Sequence, residues 1–196
     1  MFNKIRFTTF TVLTAALTMA STMAHAVILT PGAIASISGT SYNADPALGG
    51  TVLQDTLRPF TATIAGTALT GTIQDRVVRE TASGTLDFYT RVWFNEPLKT
   101  SQMILERTNY ANLGTDVDFR TDGVGTVAPK EAFRSTNGSE IGFGFANVQM
   151  TPSDSTMFMM IRTKATQYIA TDQMNLRFGD FASNTIPCYG PAPHLG

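Results

Sequence analysis

The chain of 196 residues carries 14 basic and 15 acidic side chains, and charged residues make up only 15% of it. Because no basic stripe is present, this composition argues against nucleic acid or an anionic membrane surface as a partner. The two histidines, His25 and His194, and the single cysteine, Cys188, all lie near the ends of the sequence. This distribution excludes Ser-His-Asp and Cys-His catalysis, and the usual zinc and copper sites, from the body of the chain.

Residues 1–26 have the pattern of a secretory signal peptide. Lys4 and Arg6 form a short basic region, a weakly apolar stretch follows, and Ala24–Ala26 is an A-x-A cleavage site. Cleavage after Ala26 leaves twelve basic and fifteen acidic residues from Val27 onward. We therefore expect a secreted, periplasmic or cell-surface protein that has no membrane span after signal removal.

Beyond the leader, apolar residues recur at every second position, which is typical of β-strands. Ala33–Gly50 is predicted to be an edge strand followed by a loose loop. Further strands are predicted, in chain order, at Phe60–Ala65, Thr70–Arg79, Thr85–Phe94, Asp116–Thr121, Glu140–Val148, Phe158–Ile169 and Met174–Phe181. Short strands separated by turns that contain Gly and Asn predict an all-β fold, an antiparallel β-sandwich of jelly-roll or immunoglobulin-like type. We place this single domain at residues 27–181.

Two segments depart from the strand pattern. Pro129–Arg134 is the one helical candidate, with room for a turn or two. Residues 182–196 contain Pro187, Pro191 and Pro193 and little apolar content, so we predict a proline-rich disordered tail. We expect Cys188 in this tail to be an unpaired, inert thiol.

The strand Thr85–Phe94 has the clearest two faces. Leu86, Phe88, Val92 and Phe94 form its apolar face, and the opposite face carries Asp87, Tyr89, Arg91 and Trp93. Aromatic rings beside charges on a sheet face predict a platform that stacks on a sugar ring or on a protein partner. In the alternative interpretation a loop covers this face, and Trp93 fills a gap in the packing.

Glu140–Val148 alternates apolar residues with small ones. Ile141, Phe143 and Phe145 share one face, while Gly142 and Gly144 lie on the other. Glycine weakens the interior of a strand, so these positions predict a close approach of another group to the backbone.

The densest acidic cluster lies between residues 115 and 123. Asp116 and Asp118 share a strand face, and Asp122 follows in a turn. These three carboxylates are the candidate ligands for calcium, the only cofactor that the sequence suggests. Arg120 argues against it, because a cation stands where a calcium loop requires another oxygen ligand.

A glycoside hydrolase based on two carboxylates is a further alternative. The candidate acids are Asp87, Glu96, Glu106, Asp118 and Glu140. No spacing singles out a pair, so the sequence predicts a protein that is not an enzyme.

The middle of the chain, from Pro59 to Tyr168, resembles a group of uncharacterised secreted bacterial proteins, rich in β-structure, that often carry a PEP-CTERM sorting tail. The resemblance rests on the segments Gly84–Val92, Thr115–Gly125, Arg134–Ser135 and Ile161–Tyr168. It implies export to the cell envelope or to an extracellular polysaccharide matrix. Residues 187–196 lack the Val-Pro-Glu-Pro motif, apolar helix and basic cluster of that tail, so we expect free secretion.

These observations favour an exported, non-enzymatic protein of the cell envelope or extracellular matrix, with a structural or adhesive role. Its expected partners are polysaccharide or other envelope proteins. The first alternative is a small carbohydrate-binding module that uses Tyr89 and Trp93, and the second is the carboxylate hydrolase.

Overall fold

The computed structural model describes residues 26–64, 66–179 and 181–192. All but the last residue of the expected signal peptide lies outside them. The described chain forms twelve strands: β1 (Val27–Ile28), β2 (Ile34–Ser36), β3 (Gly50–Ile64), β4 (Thr67–Glu80), β5 (Leu86–Phe94), β6 (Leu98–Arg107), β7 (Thr115–Phe119), β8 (Glu131–Arg134), β9 (Ile141–Met150), β10 (Met159–Thr163), β11 (Tyr168–Phe178) and β12 (Phe181–Pro191). Its only helical element is a 3-10 turn at Pro46–Leu48.

The strands form two antiparallel sheets of six strands each, which pack together as the predicted β-sandwich. The strand order is β1-β7-β10-β5-β4-β3 in the first sheet, called sheet A, and β12-β11-β6-β9-β8-β2 in the second, called sheet B. No helix in the described ranges is long and apolar enough to cross a membrane.

The hydrophobic core lies between the two sheets, and strand alternation supplies it. The four apolar residues predicted for β5 point inward and are almost fully buried, as are Ile141, Phe143 and Phe145 of β9. Phe94 of β5 makes edge-to-face contacts with Phe60 and Phe178, at centroid distances of 5.8 and 5.9 Å. Burial of each such side chain stabilises the fold by roughly 1.5–3 kcal/mol.

The glycines of β9 have the predicted role. A Cβ atom at Gly142 would overlap the ring of Phe133, and one at Gly144 would crowd the side chain of Glu131. Both partners belong to β8, which pairs directly with β9. The missing side chains therefore make room for the outward-facing residues of the neighbouring strand.

The helical prediction for Pro129–Arg134 is wrong. Residues Glu131–Arg134 form strand β8, which pairs with β2 on one side and β9 on the other. Ala132 and Arg134 are buried and alternate with more exposed neighbours, as in a strand. Backbone pairing to two neighbours outweighs a weak local preference for helix in so short a segment.

The prediction of a disordered tail from residue 182 is also wrong as far as Ala192, and residues 193–196 lie outside the described part. Strand β12 pairs with β11 along its length, and Cys188 is completely buried as a free thiol. Pro187 and Pro191 are tolerated because β12 is the edge strand of sheet B, where one side of the backbone has no strand partner.

Candidate functional site

The four residues predicted to bind a ligand lie together on the outer face of sheet A, but they do not form a flat, exposed platform. Asp87 and Tyr89 are buried, whereas Arg91 and Trp93 are half-buried. The interpretation in which a loop covers this face is therefore closer to the structure. The covering segment is residues 37–49, between β2 and β3.

Polar contacts hold this covering segment on sheet A. The backbone N–H of Gly39 donates to Asp118 at 2.8 Å, and that of Tyr42 donates to Asp122 at 2.7 Å. Asp45 pairs with Arg162 at 2.7 Å. Leu48 completes the attachment by joining a small apolar cluster whose other buried members are Val78, Tyr89, Phe158 and Met160. The segment is therefore docked rather than loose.

A pocket of about 440 Å³ opens beside this cluster. We call it the arginine pocket, because all of its charged lining side chains are arginines: Arg76 of β4, Arg91 of β5 and Arg120, which follows β7. The rest of the lining is the amide of Gln74, the aromatic residues Tyr89 and Phe158, the aliphatic residues Leu48, Val52, Val78 and Val124, and two glycines, Gly50 and Gly123. The volume is within the usual range for small-molecule sites.

Strand register explains why these side chains converge. Gln74 and Arg76 of β4 lie opposite Arg91 and Tyr89 of β5, and Tyr89 also lies opposite Met160 of β10. Residues two apart on a strand point to the same face, so both pairs project outward from sheet A.

The ring of Phe158 is central to the pocket. The Cζ atoms of Arg76 and Arg91 lie 4.7 and 5.3 Å from its centroid. Arg91 Cζ also lies 5.0 Å from the centroid of Trp93. These cation–π contacts hold two guanidinium groups near one aromatic face.

The three arginines differ in their charge partners. Arg76 pairs with Asp55 at 2.7 Å, and Arg120 donates to Asp122 through Nε at 2.7 Å and through Nη2 at 2.8 Å. Arg91 has no ion pair within the described ranges, and its Nε has no hydrogen-bond partner. Gln74 donates to Asp55 at 2.7 Å, while its Oε1 lacks a donor. The pocket thus holds polar groups whose bonding capacity is not used by the protein.

The three calcium candidates have separate partners. Asp118 accepts the Gly39 N–H, Asp122 accepts from Arg120 and the Tyr42 N–H, and Asp116 lines a different pocket together with Arg162 and Lys164. In the part of the chain that the structure covers, no group of three or more His, Cys, Asp or Glu side chains is arranged to hold a metal ion.

The candidate acids for a hydrolase are dispersed. Glu96 accepts from the backbone and hydroxyl of Thr70, and Glu106 pairs with Arg177 on sheet B. Asp87 and Asp118 lie on β5 and β7, which β10 separates, and Glu140 directly precedes β9. None of these acids lines the arginine pocket.

A buried carboxyl group lies next to Tyr89 of the pocket. Asp87 is completely buried, and its Oδ2 is 3.5 Å from the hydroxyl of Tyr89. Burial, reinforced by the nearby charge of Glu80, raises the pKa of Asp87 to about 8. Glu80 is itself paired with Arg162 at 2.6 Å. Asp87 is therefore protonated at neutral pH.

We expect this proton to make stability depend on pH. Because the folded-state pKa is higher than the ordinary aspartate value of 3.8, the contribution of Asp87 is complete below about pH 4 and is lost as the pH rises through about 8. The loss is up to about 1.4 kcal/mol per pH unit. In urea unfolding at pH 6–9, Asp87→Asn should flatten this dependence, so that its stability relative to the wild type rises by about 2 kcal/mol between pH 6 and pH 8. Asp154→Asn, at an exposed carboxylate, is the control and should keep the wild-type slope. An unchanged slope in Asp87→Asn would contradict the assignment.

Sequence reasoning identified Tyr89 and Arg91 of the arginine pocket and missed Phe158, Arg76 and Gln74. Period-two alternation, extended to β4 and to the residues before β10, places all three on the outer face and is the signal that would have found them. Comparisons with protein-family models, with curated proteins and with solved structures found no match to this chain.

Proposed function

We propose that this protein is an exported, non-enzymatic protein of the cell envelope or extracellular matrix, and that it binds a carbohydrate in the arginine pocket. The proposal combines the leading expectation from the sequence with its first alternative. The flat aromatic platform is replaced by a concave site on the same face, which shares Tyr89 and Arg91 with it.

The observation that carries the proposal is the combination of groups in the arginine pocket. Phe158 and Tyr89 supply aromatic surface, on which the C–H face of a sugar ring packs favourably. Gln74 and Arg91 add hydrogen-bonding groups that the described protein leaves without partners. A mainly apolar cleft with a few such polar groups is the usual composition of a small-molecule site.

Two features of the sequence support the location. The leader at residues 1–26 is typical of secretion, and the low share of charged residues is typical of a surface covered by Thr, Ser, Asn and Gly. The resemblance of residues 59–168 to secreted bacterial proteins of the polysaccharide matrix is in line with a glycan ligand.

A pocket-filling variant tests the proposal. Val124 is 54% exposed and lines the pocket, so Val124→Trp should block it without changing any charge. Leu57→Trp is the matched control, because Leu57 is 59% exposed and is not part of the lining. On a glycan array supplemented with bacterial polysaccharides, we expect the wild type and Leu57→Trp to bind the same glycans and Val124→Trp to lose at least tenfold in affinity.

Two results would refute the proposal. Binding that survives Val124→Trp would place the glycan site elsewhere on the molecule. Failure of the folded wild type to bind any glycan would leave the purely structural role, in which the pocket has no ligand.

A further inference from the structure

The arginine pocket has an excess of one positive charge. Its lining includes three guanidinium groups and no carboxylate. Asp55 and Asp122, which are not part of the lining, pair with Arg76 and Arg120, whereas Arg91 has no ion pair within the described ranges. A neutral sugar would leave Arg91 without an ion pair, whereas an anionic ligand would pair with it.

The placement of Arg91 is suited to this task. Its guanidinium lies near the rings of Trp93 and Phe158, and contacts with two rings restrict the orientation of the planar group. Burial, together with the neighbouring charge of Arg76, lowers the pKa of Arg91. The positive form is therefore held in an unfavourable environment, which an anionic ligand would relieve.

We infer that the ligand of the arginine pocket carries a carboxylate, and that the carbohydrate is an acidic polysaccharide built from uronic acids. This inference rests on the proposed function and specifies its ligand class. One carboxylate carries one negative charge and matches the planar fork of Arg91 through two parallel hydrogen bonds. A phosphate monoester would bring roughly −1.5 to −2 charges, more than the single excess charge of the pocket.

The remaining lining complements the other parts of a uronic acid. The rings of Phe158 and Tyr89 and the side chain of Val124 offer apolar surface to the ring carbons. Gln74 adds an amide to the lining, and a side-chain amide can exchange hydrogen bonds with sugar hydroxyls. The carboxylate therefore determines the class of ligand, and these groups determine its orientation.

The test compares glycans that carry a carboxylate with glycans that carry a sulfate or no charge. Binding of oligogalacturonate and of its methyl ester is measured by titration calorimetry with the full chain, at low and high salt, and alginate oligomers provide a second uronate. Dextran sulfate and dextran distinguish a sulfate ligand from a carboxylate. Arg91→Gln removes the unpaired charge, and Arg177→Gln is its control, because Arg177 is 45% exposed and belongs to sheet B.

We expect a uronate to bind, its neutral ester to bind at least tenfold more weakly, and affinity to fall as salt screens the charge. Arg91→Gln should lower uronate affinity at least tenfold, whereas Arg177→Gln should leave it unchanged. Equal binding of acid and ester, or preference for dextran sulfate, overturns the carboxylate assignment. If a neutral glycan binds and Val124→Trp abolishes that binding, the assignment fails while the proposed function stands. If no glycan of any kind binds, both fail.

Discussion

Replacement of Asp75 by alanine is expected to destabilise the protein by about 3–5 kcal/mol, because it leaves a buried charge without its counter-ion. Asp75 is completely buried between the sheets and accepts from Arg107 at 3.1 Å, from Arg58 at 3.0 Å and from the Tyr189 N–H at 2.8 Å. Arg107 is equally buried and also donates to Thr90 and to the carbonyl of Tyr189. Without Asp75, the guanidinium of Arg107 keeps no carboxylate partner among the ion pairs of the described chain.

Equilibrium unfolding in urea at neutral pH measures this loss. The matched control is Asp55→Ala on the neighbouring strand β3, where the pair with Arg76 is partly exposed and should contribute no more than about 1 kcal/mol. If Asp75→Ala and Asp55→Ala lose similar amounts of stability, the buried charges are hydrated well enough to need no ion pair. A double-mutant cycle with Arg107→Met isolates the coupling between Asp75 and Arg107.

The second large effect is expected at Arg134, where even lysine should cost about 3 kcal/mol or more. Arg134 is buried, and its guanidinium makes five hydrogen bonds without any carboxylate. The acceptors are the carbonyls of Leu29, Tyr110, Leu113 and Gly138 and the hydroxyl of Thr115, at 2.7–3.1 Å. The ammonium of lysine has three donors in one place and cannot satisfy acceptors spread over the whole fork.

Urea unfolding measures the change in the free energy of unfolding, and hydrogen exchange shows which part of the structure is loosened. We expect faster exchange at Leu29, whose N–H donates to Thr115 beside the β1–β7 pairing, because Arg134 ties these segments together. Arg177→Lys is the control, since Arg177 is half exposed and should change stability by no more than about 0.5 kcal/mol. Wild-type stability in Arg134→Lys would show that water can replace the missing donors.

The sequence was sufficient to predict the parts of the fold that depend on local alternation. The two faces of β5 and the glycines of β9 follow from residues that are neighbours in the chain, and the structure confirms both. Strands β8 and β12 could not be recognised in this way. The segments 131–134 and 181–191 are extended because neighbouring strands pair with them. Their own residues give little sign of it, since the first segment is short and the second contains prolines.

The arginine pocket was harder to predict for the same reason. Tyr89 and Arg91 could be predicted because they belong to a strand with clear alternation. Phe158 and Arg120 join them through the pairing of β10 with β5 and β7, and Leu48 arrives from the covering segment. A pocket assembled from five separate stretches of chain has no signature in any one of them.

The contact between Tyr189 and Asp75 also affects the order in which parts of the protein fold. Synthesis proceeds from the N-terminus, so Asp75 and Arg107 leave the ribosome well before the backbone groups of Tyr189 that bind both of them. Until β12 is present, Asp75 and Arg107 each lack one of their buried hydrogen-bond partners, so closing the two sheets over them is less favourable. We therefore expect the sandwich to close fully only after residues 181–191 are available for pairing.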